Sequence, residues 1–238
     1  IRDSTQTAAD TFINASGTVN LTSQSGNIGT DSQTIMVNSP NGVNASVAQN
    51  SANGGNIYLS SEQEIFKTGD ISGFKTVSIN GKNIQADGTI TGGDVLLTAL
   101  NNLVNTGTVT ATGSLIGKGT EIAVNGVLSG KDVTLTATNG FTNSAAISGT
   151  DSVNIGGNTV SIGETVSGGD VTLTSGTDLN INASVTGKDI ALNAENTINN
   201  KASVSGTGTV SAEANDITLD AALSGADVIL HATNNLTN

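Results

Sequence analysis

The chain has 238 residues and a formal net charge of −12, and Gly, Ser, Thr and Asn make up roughly half of it. With 20 acidic against 8 basic side chains it offers no basic surface for phosphates, which excludes nucleic acid as an expected partner. It has no cysteine for a disulfide or a thiolate metal site, and no apolar run approaches the roughly 18 residues of a membrane span, so no membrane insertion is expected.

This composition is common in disordered chains, but two features argue for a packed fold. Val, Ile and Leu recur along the whole chain, and charged residues are only 12% of it. Gly and β-branched residues interrupt every stretch that could form an apolar helix face. Aliphatic and polar residues alternate instead, as in residues 133–136 and 179–182, so the sequence predicts an all-β protein.

Residues 1–53 are predicted to form the first, less regular coils of this β-structure. Residues 16–23 have a strand pattern, whereas residues 34–53 contain the single proline and depart from the register of the remaining chain. We expect a longer loop near residues 38–42, where Pro-Asn-Gly favours a turn. A boundary between two repeat arrays is the alternative interpretation.

Residues 54–238 repeat every 19 residues without a gap when Gly54 opens the first unit. Position 1 is occupied by Gly54, Gly73, Gly92, Ala111, Gly130, Gly149, Gly168, Gly187, Gly206 and Gly225. Position 12 is apolar throughout, with Ile65, Ile84, Leu103, Ile122, Phe141, Val160, Leu179, Ile198, Ile217 and Leu236. A fixed period of this length indicates a solenoid with one coil per repeat. Because the chain ends inside this pattern, we expect it to be a fragment of a longer protein.

A finer alternation lies within the repeat. Most units carry aliphatic residues at positions 4 and 6, for example Val133 and Leu135. The units that begin at residues 73, 149 and 206 carry them one residue later, for example Val153 and Ile155. Since a slip of one residue reverses the two faces of a strand, we expect a compensating bend at the preceding corner.

Each unit contains three short stretches, none long enough to bury an apolar face alone. Stacking equivalent stretches about 4.8 Å apart would bury a continuous interior and pair the backbone with neighbouring coils. The predicted fold is therefore an all-β, right-handed parallel β-helix with about 19 residues per coil, the hand following from the crossover rule. We expect residues 1–53 and 54–238 to form one continuous solenoid.

Two recurring elements resemble the repeats of filamentous haemagglutinin-like exoproteins. Residues 92–99 read Gly-Gly-Asp-Val-Leu-Leu-Thr-Ala, residues 130–137 read Gly-Lys-Asp-Val-Thr-Leu-Thr-Ala, and residues 103–109 read Leu-Val-Asn-Thr-Gly-Thr-Val. The resemblance implies a β-helical adhesin or contact-dependent inhibition protein, exported by a two-partner secretion system. It further implies an outer-membrane secretion partner and a location outside a Gram-negative bacterium, secreted or at its surface.

Catalytic residue types are scarce. Arg2, Tyr58 and His231 are the single members of their kinds, and His231 falls at an outward position of its coil. Parallel β-helices that act on polysaccharides need clustered acids or bases and aromatic sugar platforms. We therefore expect no enzyme activity and no cofactor, and a polysaccharide-active enzyme is the second alternative.

Aspartates recur at position 3 of the repeat, and Asp132, Asp170 and Asp189 form a candidate cation ladder. Carboxylates stacked about 5 Å apart repel one another, and a cation such as Ca²⁺ would relieve this repulsion. The alternative is that each aspartate caps a turn, with Lys131 and Lys188 relieving the repulsion.

Position 14 carries asparagine in some units and aliphatic residues in others. Asn105, Asn143, Asn200 and Asn238 therefore occupy an inward slot and are expected to be structural. A buried carboxamide is retained only where it is hydrogen-bonded, so these side chains should bond the backbone at the coil corner.

The sequence favours a structural shaft segment of a secreted bacterial surface adhesin, which supports or mediates cell adhesion. The alternative is that the segment itself binds a host-cell receptor or glycan through an outward ladder of side chains or through residues 34–53. The scarcity of aromatic residues argues against a conventional sugar platform.

Overall fold

The computed structural model describes residues 11–49, Ala52 and residues 54–238, and it contains strands and no helix in this part of the chain. The first half holds β1 (Thr11–Asn14), β2 (Val19–Ser23), β3 (Ile35–Asn38), β4 (Val43–Val47), β5 (Ile57–Ser60), β6 (Phe66–Ser72), β7 (Thr76–Gly81), β8 (Ile84–Ala86), β9 (Ile90–Gly92), β10 (Asp94–Ala99), β11 (Asn102–Asn105), β12 (Val109–Ala111) and β13 (Ser114–Val124). Consequently no helix of the described residues is long and apolar enough to cross a membrane.

The second half holds twelve further strands, several of which bend through a coil corner. They are β14 (Leu128–Asn143), β15 (Ile147–Gly157), β16 (Thr159–Ile162), β17 (Val166–Ser175), β18 (Asp178–Ile181), β19 (Val185–Gly187), β20 (Asp189–Ala194), β21 (Thr197–Asn200), β22 (Val204–Gly206), β23 (Thr209–Leu219), β24 (Leu223–Ser224) and β25 (Asp227–Thr237).

The strands pair in parallel with strands one coil away, which confirms the predicted β-helix with about 19 residues per coil. In the second half Leu128 pairs with Ile147, Ile147 with Val166, and Val166 with Val185, at intervals of 19 residues. The interval is constant because each coil repeats the path of the coil before it, with short corners between its strands.

Aliphatic side chains line the interior of each coil in columns. One column of the second half runs through Val133, Val153, Val171, Ile190 and Val210, and each of these residues is at most 2% exposed. Its partner column, two residues further along each strand, is equally buried and runs through Leu135, Ile155, Leu173, Leu192 and Ala212. Burial of this apolar surface is the main favourable contribution to folding.

The expected compensation for the one-residue shift is a β-bulge in β15. Gly130 pairs with Gly149 but Asp132 pairs with Ser152, so two residues of β15 lie opposite one residue of β14. The extra residue restores the inward direction of Val153 and Ile155, which are buried.

The first coils are longer than the later ones, and the extra length is not where the sequence suggested. Val19 pairs with Val43, and Ile35 with Leu59, at an interval of 24 residues. Of residues 38–42, where the longer loop was predicted, Asn38 ends β3 and the other four form a short turn, in which Gly42 has φ of 91°. In the coil from Val19 to Val43 the extra residues form an excursion at 29–34, because Ile28 and Ile35 pair with residues only two apart, Ile57 and Leu59. The interval from Ile35 to Leu59 begins after this excursion, so its extra residues lie further along the chain.

The described chain divides into two compact units after Gly119. Longer and shorter coils pair in the same way, since β3 pairs with β5 and β5 with β7. Residues 1–10, 50, 51 and 53 of the segment predicted to be less regular lie outside the described residues.

One position of the 19-residue alignment was wrong. Phe66, and not Ile65, pairs with Ile84. Phe66 is 1% exposed and fills the interior, whereas Ile65 is 48% exposed. The corner before β6 holds one more residue than the alignment assumed, and the larger aromatic side chain is the one that is buried.

Candidate functional site

Asparagines at position 14 lie in the interior of the coils. Asn105, Asn143 and Asn200 are 2%, 3% and 0% exposed, whereas Asn238, the last residue, is exposed. Asn143 pairs with Ile162, Ile162 with Ile181, and Ile181 with Asn200, so amide and aliphatic side chains share one inward column.

The Asn143 carboxamide joins two coils through three hydrogen bonds. Its Nδ2 donates to the carbonyl oxygens of Ala145 at 3.0 Å and Glu164 at 2.8 Å. Its Oδ1 accepts the N–H of Gly163 at 3.0 Å. The side chain therefore satisfies backbone groups at a corner where the strands themselves do not pair.

Asn200 occupies the same column with fewer partners. Its Nδ2 donates to the carbonyl oxygen of Ala221 at 3.0 Å, but its buried Oδ1 has no hydrogen-bond partner among the described residues. Asn143 and Asn200, which lie three coils apart in the same column, therefore differ in the number of hydrogen bonds that their side chains make.

The aspartates of the candidate cation ladder are not in one continuous stack. Asp170 pairs with Asp189, but Ser152 lies between Asp132 and Asp170, because the bulge moves Asp151 out of line. The hydroxyl of Ser152 donates to Asp132 Oδ1 at 2.7 Å. Within the described residues no three acidic or histidine side chains converge as metal ligands would.

Two lysines pair with aspartates beside this stack. Lys188 Nζ lies 2.9 Å from Asp189 Oδ2, and Lys131 Nζ lies 3.2 Å from Asp151 Oδ2. The hydrogen bond from Lys188, followed by that from the Thr209 N–H, lowers the pKa of Asp189. The corresponding hydrogen bonds to Asp189 and Asp151 raise the pKa of Lys188 and of Lys131. All four side chains are well exposed, so these pairs contribute little stability.

Several Asx side chains act as clasps between successive coils. Asp94 Oδ1 accepts the N–H of Ser114 at 2.8 Å, and Asp189 Oδ1 accepts that of Thr209 at 2.7 Å. The residue before each donor is a glycine, Gly113 or Gly208. The carboxylate oxygen occupies the space that a side chain would need there: at Gly113 it lies only 2.5 Å from the position of a Cβ. These aspartates therefore act as corner caps, which is the alternative function weighed from the sequence.

These clasps leave a signal in the sequence. The acidic residue and the glycine are separated by one repeat, as in Asp94 with Gly113 and Asp189 with Gly208. A search for such pairs at the repeat length would have found them, because the repeat places residues 19 apart next to each other.

Two shallow surface cavities lie on outward faces. One, in the first unit, has a volume of about 460 Å³ and is lined by Glu64, Ile65, Asn83, Ile84, Gln85, Asn101, Asn102 and Val104. The other, in the second unit, has about 230 Å³ and is lined by Thr134, Leu135, Thr136, Asn154, Ile155, Gly156, Thr172 and Thr174. The predicted outward residue His231 is exposed, with Nδ1 3.4 Å from Glu213 Oε1.

Comparisons of the chain with protein-family models, with curated proteins and with solved structures gave no match.

Proposed function

We propose that this chain is a structural shaft segment of a secreted bacterial surface adhesin. The observation that supports the proposal most directly is the parallel pairing of successive coils within each unit. In the second unit it continues from β14 to β25, and the buried apolar interior extends as far as β23. Such a stack resists bending because the backbone hydrogen bonds and the buried apolar columns both link each coil to the next.

The adhesin part of the proposal has its support in the sequence. The strand elements at residues 92–99 and 130–137 resemble the repeats of filamentous haemagglutinin-like exoproteins. A chain without cysteine can cross two membranes unfolded and then fold coil by coil, each coil using the preceding one as a template. An outer-membrane secretion partner belongs to this proposal.

The shaft role can be tested by pulling the full chain between its two ends in single-molecule force spectroscopy. In the second unit successive coils are 19 residues apart, so unzipping of whole coils there should lengthen the chain in steps of roughly 60–70 Å. A variant that lacks residues 168–186, one complete repeat, is the matched control and should lose one such increment. Extension at low force without discrete steps would contradict the proposal.

Export is tested separately. The chain, joined to the secretion domain of a two-partner exoprotein, is expressed in a Gram-negative host with and without the corresponding outer-membrane transporter. We expect the chain in the medium or at the cell surface only with the transporter. Retention in the periplasm in both strains would contradict the secreted location.

A further inference from the structure

The outward face of the second unit carries a regular grid of polar side chains with one gap. Along neighbouring strands, Thr134 pairs with Asn154 and Asn154 with Thr172. Two residues further along, Gly156 lies between the exposed Thr136 and Thr174. We call this gap, edged by Thr136, Asn154 and Thr174, the Gly156 notch.

Neither crowding nor backbone conformation requires glycine at position 156. A Cβ built there would have no neighbour closer than the Thr174 carbonyl oxygen at 4.0 Å. By contrast, a Cβ at Gly168 would lie 3.0 Å from the carbonyl oxygen of Asp170, and Gly149 is more crowded still. Gly156 also has no φ in the left-handed region.

Glycine within a strand weakens the strand, because it has no side chain to pack and loses the most backbone entropy on folding. A glycine inside a strand often marks a bulge, a tight bend, or a place where a ligand or another backbone approaches closely. The bulge of β15 lies between Gly149 and Ser152, and no backbone atom lies closer than 4.0 Å to a Cβ built at Gly156, which favours approach by a ligand. Gly156 is one of the residues that line the 230 Å³ cavity of this face, and it contributes no side chain there. The gap is one strand wide, and the threonines on its two sides are about two strand spacings, or 9.6 Å, apart.

The groups around the notch are neutral hydrogen-bonding groups with acidic neighbours. Threonine hydroxyls and the exposed carboxamide of Asn154 can both donate and accept hydrogen bonds. Asp132 and Asp170 pair with Ser152 at the next outward positions, about 6.6 Å along the strands. These carboxylates disfavour an anionic ligand, and the lysines near this face are paired with Asp151 and Asp189.

We propose that the Gly156 notch binds a neutral saccharide residue. The ring carbons of the sugar would rest on the half-buried Gly156 backbone, and its hydroxyls would bond Asn154 and the flanking threonines. This inference does not depend on the proposed shaft role, since a shaft can carry a binding face and a binding face does not require a shaft.

The test is a binding measurement on the full chain with an array of galactose-, glucose-, mannose- and N-acetylglucosamine-terminated oligosaccharides, each beside its sialylated form. Positive spots are followed by saturation-transfer NMR and titration. The decisive variant is Gly156→Thr, which completes the threonine row in space that is open, so the fold should be retained or stabilised. The matched control is Asn193→Thr, one strand beyond Thr174 in the same outward row, which leaves the notch unchanged.

We expect one or more neutral sugars to bind the unmodified chain and the Asn193→Thr control alike, and at least tenfold weaker binding by Gly156→Thr. Equal binding by Gly156→Thr, with its far-ultraviolet circular dichroism unchanged, would overturn the proposal. So would preference for the sialylated forms, or no binding to any neutral sugar on the array. Binding of the face to a polypeptide, detected by the same Gly156→Thr difference in a peptide array, would overturn the saccharide assignment.

Discussion

Replacing Asn143 and Asn200 separately by leucine should change stability in opposite directions. The two side chains occupy one inward column, and the aliphatic Ile162 and Ile181 lie between them. Leucine is accommodated at the next position of that column, Leu219, which pairs with Asn200. The two substitutions are therefore alike in the volume and chemistry that they introduce, and they differ in the hydrogen bonds that they remove.

The magnitudes follow from those hydrogen bonds. Asn143→Leu removes three, at about 1 kcal/mol each, and recovers about 1–2 kcal/mol by burying apolar surface, so it should cost about 1–2 kcal/mol. Asn200→Leu removes one and also removes an unpaired buried oxygen, which costs about 1–3 kcal/mol in the native chain. With the same recovery of about 1–2 kcal/mol from apolar burial, that substitution should raise the free energy of unfolding by about 1–4 kcal/mol.

Urea unfolding followed by far-ultraviolet circular dichroism measures both changes. Unfolding of a repeat chain need not be two-state, so amide hydrogen exchange around each site is measured in parallel. Equal shifts of the midpoint for the two variants would refute the assignment of the difference to hydrogen bonding. A stabilising effect of Asn143→Leu would refute it as well.

Three further predictions concern the clasps, the ion pair and the corrected register. Gly113→Ala should cost about 1–2 kcal/mol because the new Cβ displaces the Asp94 carboxylate. In an Asp94→Ala background the cost should be smaller but not zero, because the Gly93 carbonyl oxygen still lies 3.1 Å from that Cβ, and a double-mutant cycle measures the difference. Because the pKa of Asp189 is lowered, its stabilising contribution is present above its unfolded-state pKa and is lost as the pH falls through its pKa in the folded chain. Lys188→Ala should move the pKa of Asp189 towards the ordinary 3.8. An NMR titration of the Asp189 carboxyl that is unchanged by Lys188→Ala would contradict this. Phe66→Ala should cost about 3–5 kcal/mol in thermal or urea unfolding, whereas alanine at the exposed isoleucine before it should change stability by less than about 0.5 kcal/mol.

Much of the fold was predictable because a solenoid repeats one local pattern. Period-two alternation indicated strands, and the 19-residue spacing indicated which strands lie next to each other. The shift of one residue at Val153 and Ile155 even predicted the compensating irregularity that precedes them within β15. Each of these inferences needed only the order of residues, since neighbouring coils are related by a constant sequence separation.

Less of the candidate site was predictable, because it depends on distances that the repeat does not specify. The aspartates of position 3 looked like one stack, and the bulge that separates Asp132 from Asp170 also moves Asp151 out of it. The asparagines looked equivalent, yet Asn143 and Asn200 differ in their partners. The vacant space at Gly156 is a property of its surroundings and leaves no mark in the sequence.

By itself the sequence determined that the chain is a parallel β-helix, since aliphatic residues at a fixed period can be buried together only when equivalent strands stack. Tertiary structure decided which residue of an adjacent pair turns inward, as at Ile65 and Phe66, and where the longer coils place their extra residues. It also decided which polar groups find partners. The physical reason is that the length of each corner, and so the direction of the side chains beyond it, depends on packing against the neighbouring coil.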